Sequence, residues 1–200
     1  MKMPVNWFDL ILLIILLIGI QRGRKRGMSE ELMTLLRWLT LVAVCGLLYA
    51  PVGKAITDAT VFNLLSGYLI AYLALALCVA IFFSFLKRAV GGKLTGSDLF
   101  GRGEYYLAMP AGMIRCACML LFGLALLNAR LYSQAEIKAW DAYQKDVYGS
   151  DFFPTLSLVQ RQVFEQSFTG PYIRQYLGFL LIRQTAPEKK EIRQREVPTL

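Results

Sequence analysis

Four long apolar windows constrain the fold of this chain more than any other feature of its sequence. They cover residues 4–21, 32–52, 61–86 and 107–129. Each is close to the roughly 20 residues that an α-helix needs to cross about 30 Å of hydrocarbon. The chain is 56% apolar and only 18% charged, whereas about a quarter of the residues in a soluble domain are charged. The windows therefore predict an all-α integral membrane protein with four transmembrane helices.

Two other interpretations of the first window fit the sequence less well. A helix in a soluble protein needs a polar face, and residues 10–20 contain no charged side chain. A secretory signal peptide carries its positive charges before the apolar run and small residues after it. Here Lys2 stands alone before the run, and four basic residues follow it at 22–26. We therefore expect this segment to remain in the mature protein.

The positions of Lys and Arg in the turns predict the orientation of these helices. The turns after the first and third windows carry Arg22, Arg24, Lys25, Arg26, Lys87, Arg88, Lys93 and Arg102. The turn after the second window has Lys54, which Asp58 balances. Because short cytoplasmic loops are enriched in Lys and Arg, we expect the two basic turns to face the cytoplasm. The N-terminus and everything after Ala129, including the C-terminus, are then extracytoplasmic.

The turn between the first two windows combines glycine, basic and acidic residues. Gly23 and Gly27 permit a tight reversal of the chain. Ser29 is predicted to cap the second helix, and the acidic pair at 30–31 favours the dipole of its N-terminus. The basic residues would lie level with anionic headgroups of the cytoplasmic leaflet, where each contributes about 1 kcal/mol. Alternatively, the basic cluster is a topology signal and nothing more.

The spacing of residues around this turn carries a resemblance. Asp9 heads the first helix, Arg26 and Gly27 follow it, Glu31 comes four residues after that glycine, and Trp38 comes seven residues further on. In this pattern the chain resembles the colicin V production protein (CvpA) family of bacterial inner-membrane proteins. The resemblance implies a multi-pass protein of the bacterial inner membrane.

A second family signature lies around the third turn and the fourth window. Asp98 and Gly101 begin it, and Gly112 and Arg115 continue it. Cys116 stands where the family prefers glycine, and the gap between the two halves is longer than the family pattern. The resemblance extends over roughly residues 5–130.

The family resemblance implies a function as well as a fold. Members look like four-helix membrane modules, here residues 1–130, that act as non-enzymatic scaffolds or accessory factors in envelope homeostasis or export. Related modules carry a periplasmic protease domain after the fourth helix. We expect no such domain here, so a protease role would need a separate partner. Besides the lipid bilayer, we therefore expect a membrane or periplasmic protein partner and no nucleic acid.

Arg115 is the ionisable residue that most needs an explanation. If the fourth helix begins at Leu107, this arginine lies about two turns into the hydrocarbon, where insertion costs roughly 2.5–3.5 kcal/mol at the helix centre. Glu31 and Asp98 are its candidate acidic partners, ahead of Asp9. Alternatively, the span begins near Met113 and Arg115 reaches lipid phosphates directly. A small oligomeric channel or transporter, with Arg115 and the acids lining a polar path, is the second functional hypothesis.

Small residues recur every four positions in the last two windows. They are Ala76, Ala80 and Ser84 in the third window, and Ala108, Gly112 and Cys116 in the fourth. Small residues in register let helix backbones approach closely in lipid. The two stripes predict helix contacts, either within the chain or between copies in a homo-oligomer.

Several kinds of chemistry are excluded or disfavoured by composition. The chain has no histidine, which excludes Ser-His and Cys-His nucleophiles and zinc sites that use imidazole. Its four cysteines lie inside apolar windows, where free cysteine behaves as a small hydrophobe. The glycine-rich turn at 91–103 lacks the order of a phosphate-binding loop and is predicted to be a flexible turn or a re-entrant segment. We expect no catalytic residue, metal or cofactor.

The chain after residue 130 is more polar. Residues 132–148 predict a polar helix, and residues 156–168 and 172–183 predict two short helices separated by Gly170 and Pro171. The last of these has an apolar stripe that suits a membrane surface or a partner. We therefore interpret residues 131–184 as an extracytoplasmic, partly amphipathic region, and the charged tail at 185–200 as disordered.

Overall fold

A computed structural model of the protein describes residues 6–94, 101–148 and 155–186. These residues form α1 (Trp7–Arg26), α2 (Met28–Ala59), α3 (Leu64–Leu94), α4 (Glu104–Asn128), α5 (Gln134–Tyr148), α6 (Leu156–Phe164) and α7 (Thr169–Leu177). Single 3-10 turns lie at Gly101–Gly103 and Gly178–Leu180. The described residues contain no β-strand beyond one isolated bridge between Arg130 and Thr185. The predicted all-α fold is confirmed.

Three of these helices, rather than four, are long and apolar enough to cross a membrane. They are Met28–Ala59, Leu64–Val90 and Glu104–Asn128. Helix α1 has 20 residues, but its last turn and a half is basic, which leaves an apolar run at 10–20 that is shorter than a full span. The protein is thus a multi-pass membrane protein, and the fourth predicted span is not confirmed.

The four long helices form a row in the order α1, α4, α2, α3. Helix α2 packs against both α3 and α4, and α4 also packs against α1. Helices α1 and α4 run antiparallel, because Gly19 faces Gly112 while Gly23 faces Ala108. Near its C-terminal end, α2 faces the first turns of α3 at Gly67, so these two helices are also antiparallel. The α1–α2 turn therefore lies at the same end of the row as the start of α4, which we call the basic end.

The first turn is tighter than the sequence suggested. Only Gly27 separates α1 from α2, with φ of 82°, a left-handed conformation that glycine adopts without steric cost. Helix α2 then begins at Met28 without a side-chain cap. The prediction that Ser29 caps this helix was therefore wrong. The backbone N–H of Ser29 instead donates to Glu104 Oε1 over 3.4 Å.

Helix α2 also continues further than predicted. It runs through Pro51 and Gly53 to Ala59, past the end of the second apolar window at residue 52. A proline is tolerated inside a membrane helix where packing compensates for the missing N–H donor. Gly53 lies where α2 crosses the start of α3, and a Cβ there would approach the Tyr68 ring to 2.5 Å.

Aromatic side chains fill the core between α2, α3 and α4. Tyr72 is fully buried and stacks on Phe122 with ring centroids 5.2 Å apart. Trp38 meets the same Phe122 edge-on at 6.2 Å. Trp38 thus packs against α4, while its neighbour Arg37 is exposed. The motif tryptophan therefore contributes to helix packing.

The C-terminal helices fold back onto the end of the row that lies opposite the basic end. The predicted polar helix is confirmed as α5, but α6 ends at Phe164, and α7 already begins at Thr169. Gly170 and Pro171 therefore lie in the first turn of α7 rather than between two helices, a position where proline needs no N–H donor. Of the predicted tail, Thr185 pairs with Ala129 through a 3.0 Å backbone hydrogen bond. Residues 187–200 lie outside the described residues.

Candidate functional site

A buried ion pair joins α2 to α4 near the basic end. Glu31 lies in the first turn of α2 and is 0% exposed, and Arg115 lies about three turns into α4 and is 4% exposed. The Nε atom of Arg115 lies 2.6 Å from Oε1 of Glu31. Of the acids considered from the sequence, the described structure pairs Glu31 with Arg115. The burial of Arg115 rules out the alternative in which it reaches lipid phosphates directly.

The opposite charges of Glu31 and Arg115 hold this contact. Within the described residues, no hydrogen bond of acceptable geometry involves either carboxylate oxygen of Glu31 or the Nε atom of Arg115. Two further positive groups favour the Glu31 carboxylate. The dipole of α2 places partial positive charge at its first turn, and Nη1 of the half-exposed Arg26 lies 3.9 Å from Oε2. Glu31 therefore links the buried arginine to the basic turn.

Glu104 supports the same end of the site, and we did not predict it. It is the first residue of α4, and its Oε1 accepts the backbone N–H of Ser29. A Cβ added at Gly27 would lie 2.8 Å from this oxygen. Gly27 is thus required twice, for its positive φ and for the close approach of Glu104. Glutamate is common at the start of a helix, so nothing in the local sequence marked Glu104 as part of this site.

A seam of small residues brings α1 against α4 directly beside the ion pair. The predicted stripe of Ala108, Gly112 and Cys116 is confirmed as a helix contact, since a Cβ added at Gly19 would lie 2.7 Å from the carbonyl oxygen of Gly112. The opposing stripe, Gly19 and Gly23 with Gly27 after them, has the same four-residue spacing, and we overlooked it. In the other predicted stripe, Ala76 packs against the core while Ser84 is exposed.

The remaining motif residues lie elsewhere. Gly101 has φ of 51° in the 3-10 turn before α4, and Asp98 lies outside the described residues. Asp9 lies at the head of α1, at the opposite end of that helix from Gly27. The structure therefore brings Arg26, Gly27, Glu31, Gly112 and Arg115 together, and it separates Asp9 and Trp38 from them.

Asp9 connects the head of α1 to the start of α7. Its Oδ2 accepts the backbone N–H groups of Asn6 at 3.0 Å and Phe168 at 2.9 Å. Its Oδ1 accepts the backbone N–H of Thr169 at 3.0 Å and the Thr169 hydroxyl at 2.6 Å. One carboxylate thus closes the capping box of α1 and caps α7 as well. Asp9 is a docking residue for the C-terminal helices.

Replacing Asp9 with Ala should loosen α7 from the helix row. We expect a loss of about 1–2 kcal/mol, the effect of removing a helix cap, and faster hydrogen exchange at the amides of Phe168 and Thr169. Hydrogen exchange followed by mass spectrometry measures this directly. The matched control is Asp58→Ala, at an exposed acid near the end of α2. Equal exchange in the two variants would contradict the docking role.

A comparison with protein families gives a match over most of the chain. The family described as Colicin V production protein matches residues 8–161, from the head of α1 into α6. Neither a search of curated proteins nor a search of solved structures found a match. The family match covers well over half of the 200 residues and includes every motif residue on which the resemblance rested. The chain therefore belongs to the colicin V production protein family.

Proposed function

We propose that this protein is a non-enzymatic scaffold or accessory protein of the bacterial inner membrane, acting in envelope homeostasis or export. The Glu31–Arg115 ion pair carries the proposal, because its two charges neutralise each other between α2 and α4. A buried ion pair of this kind joins helices and fixes their register. The family membership supports the same role.

The ion pair lies at the centre of a module that presents two different surfaces. On one side it leads through Arg26 to exposed Arg22, Arg24 and Lys25 at the basic end. Away from the basic end, α6 packs against α4 and α7 begins at Asp9 of α1. A rigid junction between α1, α2 and α4 would hold both surfaces in a fixed relation, as a scaffold that connects partners requires.

The orientation and the fourth span belong to the same proposal. Helix α1 runs antiparallel to α4 and exposes large apolar side chains such as Leu10, Leu13 and Leu17, which suits contact with lipid. We place the basic end in the cytoplasm, since Lys and Arg favour that side. Single cysteines at exposed Lys25 and Lys138 test this in a cysteine-free chain. In cells with a permeabilised outer membrane, an impermeant maleimide should label only Lys138→Cys, and labelling of only Lys25→Cys would reverse the orientation.

A scaffold must have a reproducible partner. Photo-crosslinking residues at exposed Arg24 and Tyr143 should each be tested in native membranes, with the fully buried Tyr72 as the matched control. We expect a discrete adduct from at least one exposed position and none from Tyr72. Repeated absence of any adduct at a panel of exposed positions would count against a scaffold.

The channel hypothesis predicts ion flux through the protein. Glu31 and Arg115 are 0% and 4% exposed and pair with each other, so they line no open path in the described part of the chain. We therefore expect proteoliposomes to show the same ion flux as empty vesicles. Flux above that level that disappears in a Glu31→Leu/Arg115→Leu variant, but persists in Arg37→Leu, would replace the scaffold with a channel.

A further inference from the structure

Four aromatic side chains form an exposed stripe along α7 and the 3-10 turn that follows it. They are Phe168, Tyr172, Tyr176 and Phe179, which are 45%, 52%, 67% and 64% exposed. Their spacing of four, four and three residues places them on one side of the helix. Another side faces the protein, where Leu180 packs against Gly46 of α2. A continuous aromatic surface of this kind marks an interaction site.

The contacts at its two ends show how this segment lies relative to the long helices. It begins at Asp9 of α1, which accepts the N–H groups of Phe168 and Thr169, and it ends at Gly46 of α2. Helix α4 lies between α1 and α2 in the row, so the segment passes over two helix spacings, or about 16–20 Å. Nine α-helical and three 3-10 residues cover about 19 Å. The segment is therefore long enough to reach from α1 to α2 across the row.

The depth of the segment follows from the same contacts. Along α1, Asp9 is 18 residues from Gly27, which is about 27 Å at 1.5 Å per residue. Along α2, Gly46 is 19 residues from Gly27, or about 28 Å. Both distances are close to the thickness of about 30 Å of a hydrocarbon core. If the basic end lies at one headgroup layer, the segment lies near the other where it meets the head of α1, and α2 continues for 13 residues beyond Gly46.

We propose that residues 168–180 form an interfacial segment that inserts its aromatic stripe into the headgroup and upper acyl region of the leaflet opposite the basic turn. The occupant of this surface is the lipid bilayer. Tyrosine and tryptophan concentrate at such boundaries because their rings are amphipathic. Other exposed apolar side chains lie at the head of α1, to which the segment is attached. Trp7, held by Gln162 through a 2.8 Å hydrogen bond, is 41% exposed there, and Leu10 is 58% exposed.

The assignment gives α7 a positioning role that the scaffold proposal does not require. Asp9 would fix α7 to α1 at the level of the headgroups, and the aromatic stripe would then set how deep the row of helices lies in the bilayer. Arg174 lies on another side of α7 and donates to Gln184 over 2.8 Å. The side of α7 that carries Arg174 should therefore contact water, while the aromatic side contacts lipid.

Spin labels test the two sides separately. In a chain with its four cysteines replaced by alanine, labels at Tyr172→Cys, Tyr176→Cys and Phe179→Cys are compared with exposed Arg161→Cys and Arg174→Cys in liposomes. We expect the ratio of collision rates with oxygen and with a water-soluble nickel complex to be severalfold higher at the aromatic positions. A similar ratio at all five positions would place the stripe in water. Low accessibility to both reagents at the aromatic positions would mean that protein, such as a second copy of the chain, covers the stripe. Either result overturns the proposal.

A conservative substitution tests the same proposal with a lower risk of misfolding. Tyr176→Trp keeps an amphipathic ring, and Trp7, Trp38 and Trp140 are replaced by Phe so that it is the only tryptophan. Lipids brominated near the headgroup should quench its fluorescence more strongly than lipids brominated at the chain ends. Arg174→Trp in the same background should be quenched little. Equal quenching of the two variants would contradict insertion of the stripe.

Discussion

Replacing Arg115 with Leu should cost about 3–5 kcal/mol of unfolding free energy, the effect of leaving one partner of a buried ion pair without the other. Glu31 is fully buried and its nearest positive group is Nε of Arg115 at 2.6 Å. Arg26 at 3.9 Å is half-exposed and screened, so it would compensate little. Equilibrium unfolding of the purified protein in mild detergent measures the loss.

The double variant Glu31→Leu/Arg115→Leu distinguishes this cause from a packing defect. Replacing both members of a buried pair with apolar side chains is often neutral or stabilising, so most of the lost stability should return. Arg37→Leu, at an exposed arginine of α2, is the matched control and should change little. If Glu31→Leu/Arg115→Leu loses as much unfolding free energy as Glu31→Leu and Arg115→Leu lose together, the ion pair does not explain the burial of Arg115.

Replacing Gly23 with Leu should separate α1 from α4. The carbonyl group of Ala108 occupies the space that even a Cβ at this position would need, and Gly112 closes the other side. Backbone atoms cannot move aside as a flexible side chain does, so we expect a cost of about 3 kcal/mol, at the upper end of the range for overpacking. Faster hydrogen exchange along α1, with α2 and α3 unchanged, would show that the seam opens.

Gly123→Leu is the matched control, since nothing lies within 4 Å of a Cβ added there. The same substitution in α4, away from the seam, should leave stability nearly unchanged. A comparable loss of stability in both variants would mean that glycine is needed in these helices for some reason other than close contact between α1 and α4.

The helical membrane fold follows from local composition. Long apolar windows predicted α2, α3 and α4, because the length and apolarity of a spanning helix can be counted along the chain. The same count explains the discrepancy at α1, where basic residues occupy the last turn and a half and leave only residues 10–20 apolar. Helix ends were predicted less well. Gly27 alone makes the first turn, and Pro51 lies inside α2, since packing between helices determines where each one stops.

The candidate site was predicted as a set of residue types rather than as a geometry. Several acids, among them Glu31, Asp98 and Asp9, were considered as partners for Arg115, and nothing local distinguishes among them. Glu31 meets Arg115 because α2 and α4 pack side by side with their first turns level, although 84 positions separate the two residues in the chain. Asp9 lies at the head of α1 and accepts hydrogen bonds from the start of α7 instead. The four-residue spacing of Gly19 and Gly23 is present in the sequence, but the sequence does not show which helix packs against them.

Composition and charge along the chain thus account for the all-helical membrane fold, for the basic turn and for the residues of the family motif. The three-dimensional packing selects Glu31 as the partner of Arg115, assigns Asp9 to α7, and lays the aromatic stripe across the helix row. The difference has a physical cause. Apolar length and charge act on each helix separately and can be read over about 20 residues, whereas contacts between distant residues depend on how rigid helices pack against one another.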